Sequence, residues 1–311
     1  MRICSFLPSA TEIVYALGLG DSLHGVSHEC DYPAEASAKP KIVRSNIDSA
    51  NLTSQEIDRL VSEMYAKGER IYEVDVAALD RAKPDLVITQ ELCEVCAISL
   101  EDVEAAVIQL EMPPQMISLD PHGLDDVLSD IERIGQITDR TTKARELVAE
   151  ARERIERVRS SVSGTASRPR VACIEWLDPL IVAGHWIPEM VQLAGGIDGL
   201  AQPGTPSRRI EIDELIAYDP DVVVLMPCGM DVSRAVHDFS QLGDLDRWRT
   251  LSAVKQGNVY AVDAGGLFSR SGPRLVDGVE MLAKMIHPQV FAESLPEESA
   301  KRLETLPVSP A

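Results

Sequence analysis

At roughly 150 residues per domain, a chain of 311 residues divides into two domains, each large enough for its own core. Its 45% hydrophobic and 26% charged residues are globular proportions and exclude a disordered or fibrous chain. Against 30 Lys and Arg stand 50 Asp and Glu, and the formal charge of -20 repels phosphate backbones and anionic headgroups, which argues against nucleic-acid and membrane-surface binding.

The opening Met1-Arg2-Ile3-Cys4-Ser5-Phe6-Leu7-Pro8 reaches a proline before the apolar stretch of a secretory signal is complete. As written the chain is expected in the cytoplasm, or in the periplasm or outside the cell if a signal has been removed. The strongest apolar run, Val222 to Pro227, is strand-sized and far short of the roughly 18 residues that cross a bilayer. Ile3 to Phe6 reads as a strand. It is followed by Leu7-Pro8-Ser9-Ala10-Thr11-Glu12, in which Ser9-x-x-Glu12 has the form of a capping box, and by a helix closed at Gly18. Open α/β sheets bind ligands at the C-terminal ends of their parallel strands, so this loop is also a candidate for ligand contact. A second strand, Gly25 to Ser27, ends in His28-Glu29-Cys30-Asp31-Tyr32-Pro33, which holds more reactive side chains than a turn requires.

Thr53-x-x-Glu56 is another capping box, and the Ile57, Leu60, Val61 and Met64 that follow share one helical face. Val74 to Gln90 reads as a short helix, a Lys83-Pro84-Asp85 break and a buried strand, Leu86-Val87-Ile88-Thr89. Directly after it comes Cys93-Glu94-Val95-Cys96, with three open readings. The pair is half of a zinc site completed by His28 and Cys30 if the loops meet, a redox dithiol, or two thiols lining a cleft.

Thr141 to Ser160 places Ala144, Leu147, Val148, Ala151, Ile155 and Val158 at helical spacing and reads as one long amphipathic helix. A polar stretch then leads to a strand, Val171 to Ile174, which ends in Glu175-Trp176-Leu177-Asp178-Pro179. The next strand, Leu180 to Ala183, ends in Gly184-His185-Trp186-Ile187-Pro188-Glu189. These loops hold two of the three tryptophans, which either cover a core edge or stack on a flat ligand. The helix Glu189 to Gly196 echoes Glu12 to Gly18, and Ile212 to Met226 repeats the helix, Pro-Asp break and strand of Val74 to Gln90. After the strand Val259 to Val262, the stretch Ala264 to Arg274 combines glycines with Phe268, Arg270 and Arg274, as a binding loop or as a source of structural salt bridges. Residues 293–311 read as a tail, partly helical at best.

The repetition implies an α/β fold of two Rossmann-like lobes with mostly parallel central sheets, joined by a long helix. The expected division is residues 1–122 for the first lobe, with a helical insertion near 50–70, 123–163 for connecting helices, 164–290 for the second lobe and 291–311 for the tail. No phosphate-cradling glycine loop and no G-x-S-x-G elbow is present, which removes the strongest sequence support for nucleotide or serine-hydrolase chemistry.

In order along the chain, Pro8-Ser9-Ala10-Thr11-Glu12, Asp31-Tyr32-Pro33, Lys83-Pro84-Asp85, Ala194-Gly195-Gly196, Asp219-Pro220-Asp221 and Gly272-Pro273-Arg274 resemble the helix-linked, two-lobe substrate-binding proteins of ABC importers. That group handles cobalamin, haem and iron-siderophores, and the chain is most similar to its cobalamin-binding branch. The resemblance implies a non-enzymatic protein that holds a corrinoid between its lobes. Pro8, Ser9, Ala10, His28, Glu29, Tyr32, Arg44, Cys93 and Cys96 would face the ligand from one side. Trp176, His185, Trp186, Phe268 and Arg270 would face it from the other. It also implies docking on an ABC permease through an acidic residue on each lobe. Asp213 or Glu214 fits the second, whereas the matching place in the first holds Ala77, with Asp75 nearby. The same scaffold accommodates haem or an iron-siderophore, and a metal or redox protein built on Cys93 and Cys96, with His28, is the reading from a different class.

Overall fold

The computed structural model describes residues 1–49, 51–91, 98–291 and 293–303. Near the N-terminus, β1 (Ile3–Ser5) and β2 (Leu23–Val26) flank the helix Pro8–Ala16, and β3 (Val43–Ser45) pairs with β4 (Tyr72–Val74) as an antiparallel ribbon. With β5 (Leu86–Gln90) and β6 (Gln115–Leu119), the first two strands form a parallel sheet of order β2-β1-β5-β6. The inner strands β1 and β5 are unbroken apolar or small-residue runs because helices cover both faces.

The second sheet is mixed. Its parallel centre is β7 (Arg170–Trp176), β11 (Val222–Leu225) and β12 (Val259–Val262). At its margins lie β8 (Ile181–Val182), β9 (Ile197–Asp198), β10 (Arg208–Arg209) and β13 (Ala300–Arg302), of which β8 and β13 run antiparallel to their central neighbours. Here the expected tail is corrected: Ala300–Arg302 covers the open edge of β12, in register with Tyr260, Ala261 and Val262. Unpaired edge groups are satisfied by any strand that reaches them, and this short charged segment carries no apolar alternation by which to announce itself.

The internal repeat holds at the level of single hydrogen bonds. In the first lobe Arg2 donates its backbone N–H to Asp85 Oδ2 at 2.7 Å and its Nε to the Ala82 carbonyl at 2.6 Å. In the second, Arg170 donates its N–H to Asp221 Oδ2 at 2.8 Å and its Nη1 to the Tyr218 carbonyl at 2.7 Å. Lys83 and Asp219, each just before the proline, both take the left-handed conformation, with φ of 46° and 44°, that ends the preceding helix. The Pro-Asp break is thus a device that ends a helix, turns the chain and pins the start of the central strand.

The helix Thr141–Val162 joins the halves. Ala144 and Val148 near its start lie in the core of the first lobe, and Val158 near its end lies in the core of the second. Arg154 fixes the middle, bonding Glu280 at 2.7 and 2.9 Å and Asp277 at 2.5 Å. The segment between β3 and β4 carries the helix Ser54–Lys67 with both halves of its capping box formed, Glu56 N–H to Thr53 Oγ1 at 3.3 Å and Thr53 N–H to Glu56 Oε2 at 2.8 Å. The box expected at Ser9-x-x-Glu12 is absent. Pro8 starts its helix earlier, with Leu7 as an uncapped N-cap, so Ser9 already lies inside and Glu12 is free for another partner. Among the described residues no helix is long and apolar enough to cross a membrane.

Candidate functional site

The C-terminal ends of the parallel strands in the two lobes face each other, and side chains cross the gap on each side of it. At one seam Glu12, buried on the helix Pro8–Ala16, accepts from Arg274 Nε at 2.9 Å and Nη2 at 2.6 Å and pairs with Arg270 Nη1 at 3.2 Å. Arg270 also holds Asp31 at 2.5 and 3.2 Å and the Glu29 carbonyl at 3.1 Å. The Arg274 guanidinium lies 3.9 Å from the centre of the Tyr32 ring, and Ser271 Oγ is 3.3 Å from Ser9 Oγ. Burial opposes ionisation of Asp31, but the hydrogen bonds and charge of Arg270 hold its carboxyl below the ordinary value.

Glu189, the counterpart of Glu12 in the repeat, also reaches across. Its Oε2 accepts from Leu124 N–H at 2.9 Å, where the first connecting helix begins. On the far side the inserted segment meets the second lobe. Trp176 Nε1 donates to the Ser54 carbonyl at 3.2 Å, Arg209 pairs with Asp58 at 2.6 Å, and Arg234 donates to the Leu52 and Ser49 carbonyls.

Between these seams lie the loops that sequence reasoning singled out. His28 and Tyr32 keep open surface, His28 within 5.6 Å of the Tyr72 ring. Burial, then Lys41, lowers the His28 pKa. Glu29 sits in a recess: 45% of its side chain is open to solvent, yet surrounding protein pushes its carboxyl up, with Arg270 opposing. His185 is held at φ of 52° by bonds of its own N–H and carbonyl to Thr205 and Gly204. For a non-glycine residue that conformation marks a place fixed by its surroundings. Its Nδ1 is buried without a partner, and burial, then the charge of His122 on the other lobe, lowers its pKa. Beside it Ser207 Oγ donates to Glu175 Oε2 at 2.5 Å, and burial raises the Glu175 carboxyl.

Not every expected site residue lies open in the gap. Pro8 and Ser9 are buried at the seam, and Ala10 is fully buried in the core of the first lobe. Trp186 and Phe268 belong to the core of the second lobe, 5% and 2% exposed, and the Trp186 Nε1 donates to the Phe268 carbonyl at 2.7 Å. Neither offers a face to a ligand: Trp186 caps the start of the helix Ile187–Leu193, Phe268 follows the helix Ala264–Leu267, and both are packed among the apolar side chains of the second-lobe core. Trp176, half-buried, remains at the gap. Arg44 is exposed and paired with Asp75 at 2.7 Å. Cys93 and Cys96 lie outside the described residues. Cys30 is buried, with its Sγ 3.1 Å from Thr11 Oγ1 and its thiol pushed up to about 11 by burial. No group of three or more His, Cys, Asp or Glu among the described residues is placed to hold a metal ion. Sequence reasoning missed Asp120 and His122, 3.3 Å apart at the end of β6, although a strand end in a parallel sheet was the signal that found the other loops.

The profile of the periplasmic binding protein family matches residues 3–265. The chain belongs to that family. It is 25% identical over 281 residues to the vitamin B12-binding protein of Vibrio parahaemolyticus, covering 89% of this chain and 86% of that one. It is 26% identical over 298 residues to YvrC, an uncharacterized ABC transporter substrate-binding lipoprotein of Bacillus subtilis, covering 94% and 82%. Among solved structures, a periplasmic heme binding protein from Pseudomonas aeruginosa superposes with a TM-score of 0.75 at 18% identity over 98% of both chains, a likeness of fold. The chain is thus a substrate-binding protein of the ABC-transporter type.

Proposed function

We propose that the gap between the lobes binds cobalamin or a related corrinoid, and that the protein serves as the substrate-binding component of an ABC-type uptake system or as an intracellular relative of one. The observation that carries this reading is the kind of side chain left open there: the rings of His28 and Tyr32 on one lobe and of Trp176 and His185 on the other. Rings on opposed walls suit a flat macrocycle, and their polar tips suit a rim of carboxamides. The vitamin B12-binding relatives support the same choice. Glu29, Arg270 and the buried Ser9 would border the ligand. On the second lobe Asp213 and Glu214 open the helix Ile212–Tyr218 and pair with Arg247 and Arg208, and a permease would compete for these exposed carboxylates.

Calorimetric titration with cyanocobalamin, haem and a ferric siderophore side by side tests the proposal. Tight binding of cyanocobalamin is the expected result. Binding of haem or the siderophore alone would transfer the reading to that ligand, and binding of none would refute it.

A further inference from the structure

Two guanidiniums side by side at the seam between the lobes are a receptor for carboxylates, since each offers a planar fork matched to two oxygens. In this chain the fork is filled from within. Glu12, with 3% of its side chain exposed, takes both oxygens of its carboxylate to Arg274 and shares one with Arg270, and Asp31 occupies the rest of Arg270. Burying a carboxylate is costly unless it is paired, and a residue needed only to hold the helix Pro8–Ala16 would not require a charge: the helix is uncapped there and ordered by its apolar face. The two positive and two negative groups cancel. Beside them stands Glu29, whose carboxyl is raised by burial, while Lys41 donates to the Cys30 carbonyl.

We infer that Glu12 is a specificity-determining residue: by neutralising Arg270 and Arg274 it makes the gap accept neutral, amide-rimmed ligands and reject carboxylate-rimmed ones of the same shape. The inference rests on the gap being the ligand site. It goes further in assigning ligand charge class to one residue whose counterpart, Glu189, meets no arginine among the described residues and instead accepts from a backbone N–H.

The test uses pairs of probes that differ in charge and share a ring: cyanocobalamin against its monocarboxylate hydrolysis product, and haemin against haemin dimethyl ester. The readout is the affinity ratio within each pair for the full chain, for Glu12→Gln and for Asp31→Asn. The parent should prefer the uncharged member by about tenfold or more, and Glu12→Gln should move that ratio toward the carboxylate by about tenfold, as expected when two buried guanidiniums lose their counter-charge. Asp31→Asn, at the exposed end of the network, should move it the same way by less, and carries the test alone if Glu12→Gln does not fold. Ratios unchanged in the folded variants would overturn the inference while leaving corrinoid binding intact. A parent that binds none of the four probes would overturn both it and the reading of the gap.

Discussion

Replacing Trp186 by alanine separates a structural indole from a ligand platform. The side chain is 5% exposed, packs in the second-lobe core with Met190, Phe268 and Val171, and satisfies its Nε1 on the Phe268 carbonyl. Deleting a buried tryptophan costs about 3–5 kcal/mol, which includes the unpaired carbonyl left behind. If the second lobe melts as a unit of about 125 residues, an unfolding entropy of about 2.1 cal/mol/K per residue gives about 0.27 kcal/mol/K and a fall in Tm of roughly 11–19 °C. If both lobes melt together the entropy is about 0.65 kcal/mol/K and the fall is roughly 5–8 °C. Trp186→Phe keeps most of the volume, loses the N–H and should fall between parent and alanine variant. Circular-dichroism melts of parent, Trp186→Ala and Trp186→Phe supply the numbers. A Trp186→Ala melt within about 2 °C of the parent would refute the packing argument and return this ring to the cleft.

Trp176→Ala should weaken corrinoid binding by about 1–3 kcal/mol, the range for losing an aromatic platform under a planar ring, and titration that finds parental affinity would remove the ring from the site. Changing Cys93 and Cys96 together to serine should leave that affinity within about tenfold, or about 1.4 kcal/mol, whereas loss of binding or of bound metal would promote the thiols to ligands. Asp198 accepts from Leu200 and Ala201 N–H at 2.9 and 3.1 Å, and burial pushes its carboxyl up to about 6. Because the folded chain holds that proton more tightly than the unfolded one, its ionisation costs stability above about pH 6, and the cost disappears as pH falls toward the unfolded value near 4. Asp198→Asn should therefore melt above the parent at about pH 8 and level with it at about pH 4; a gain that grows on acidification would contradict this.

The repeat made the fold legible because its signals are local. A proline ends a helix wherever it stands, and the aspartate that follows has a fixed partner one strand away, so Lys83-Pro84-Asp85 and Asp219-Pro220-Asp221 read correctly without any knowledge of the rest. The candidate loops could be marked from the sequence, but the orientation of their side chains could not. Glycines, aromatics and charges after strand ends mark a loop as worth reading, but whether a ring such as Trp186 turns in or a ring such as Trp176 stays at the gap depends on the neighbouring lobe. Ser9-x-x-Glu12 shows the same limit: its spacing satisfies a capping pattern, and only the distant Arg274 reveals that the carboxylate is used elsewhere. The strand Ala300–Arg302 left no trace in the sequence because an edge strand held by backbone bonds needs no apolar period.

The seams between the lobes differ in strength. On one side a buried carboxylate holds two largely buried guanidiniums, and separating such a group from its partners costs about 3–5 kcal/mol. On the other, Arg209 is 61% exposed in its pair with Asp58, an arrangement worth about 0–1 kcal/mol, and Trp176 Nε1 donates to the Ser54 carbonyl, which water can satisfy in its place. The helix Thr141–Val162, rooted in both cores, resists wide separation of the lobes. Parting the lobes should therefore cost least where Trp176 meets Ser54 and most at the Glu12 cluster.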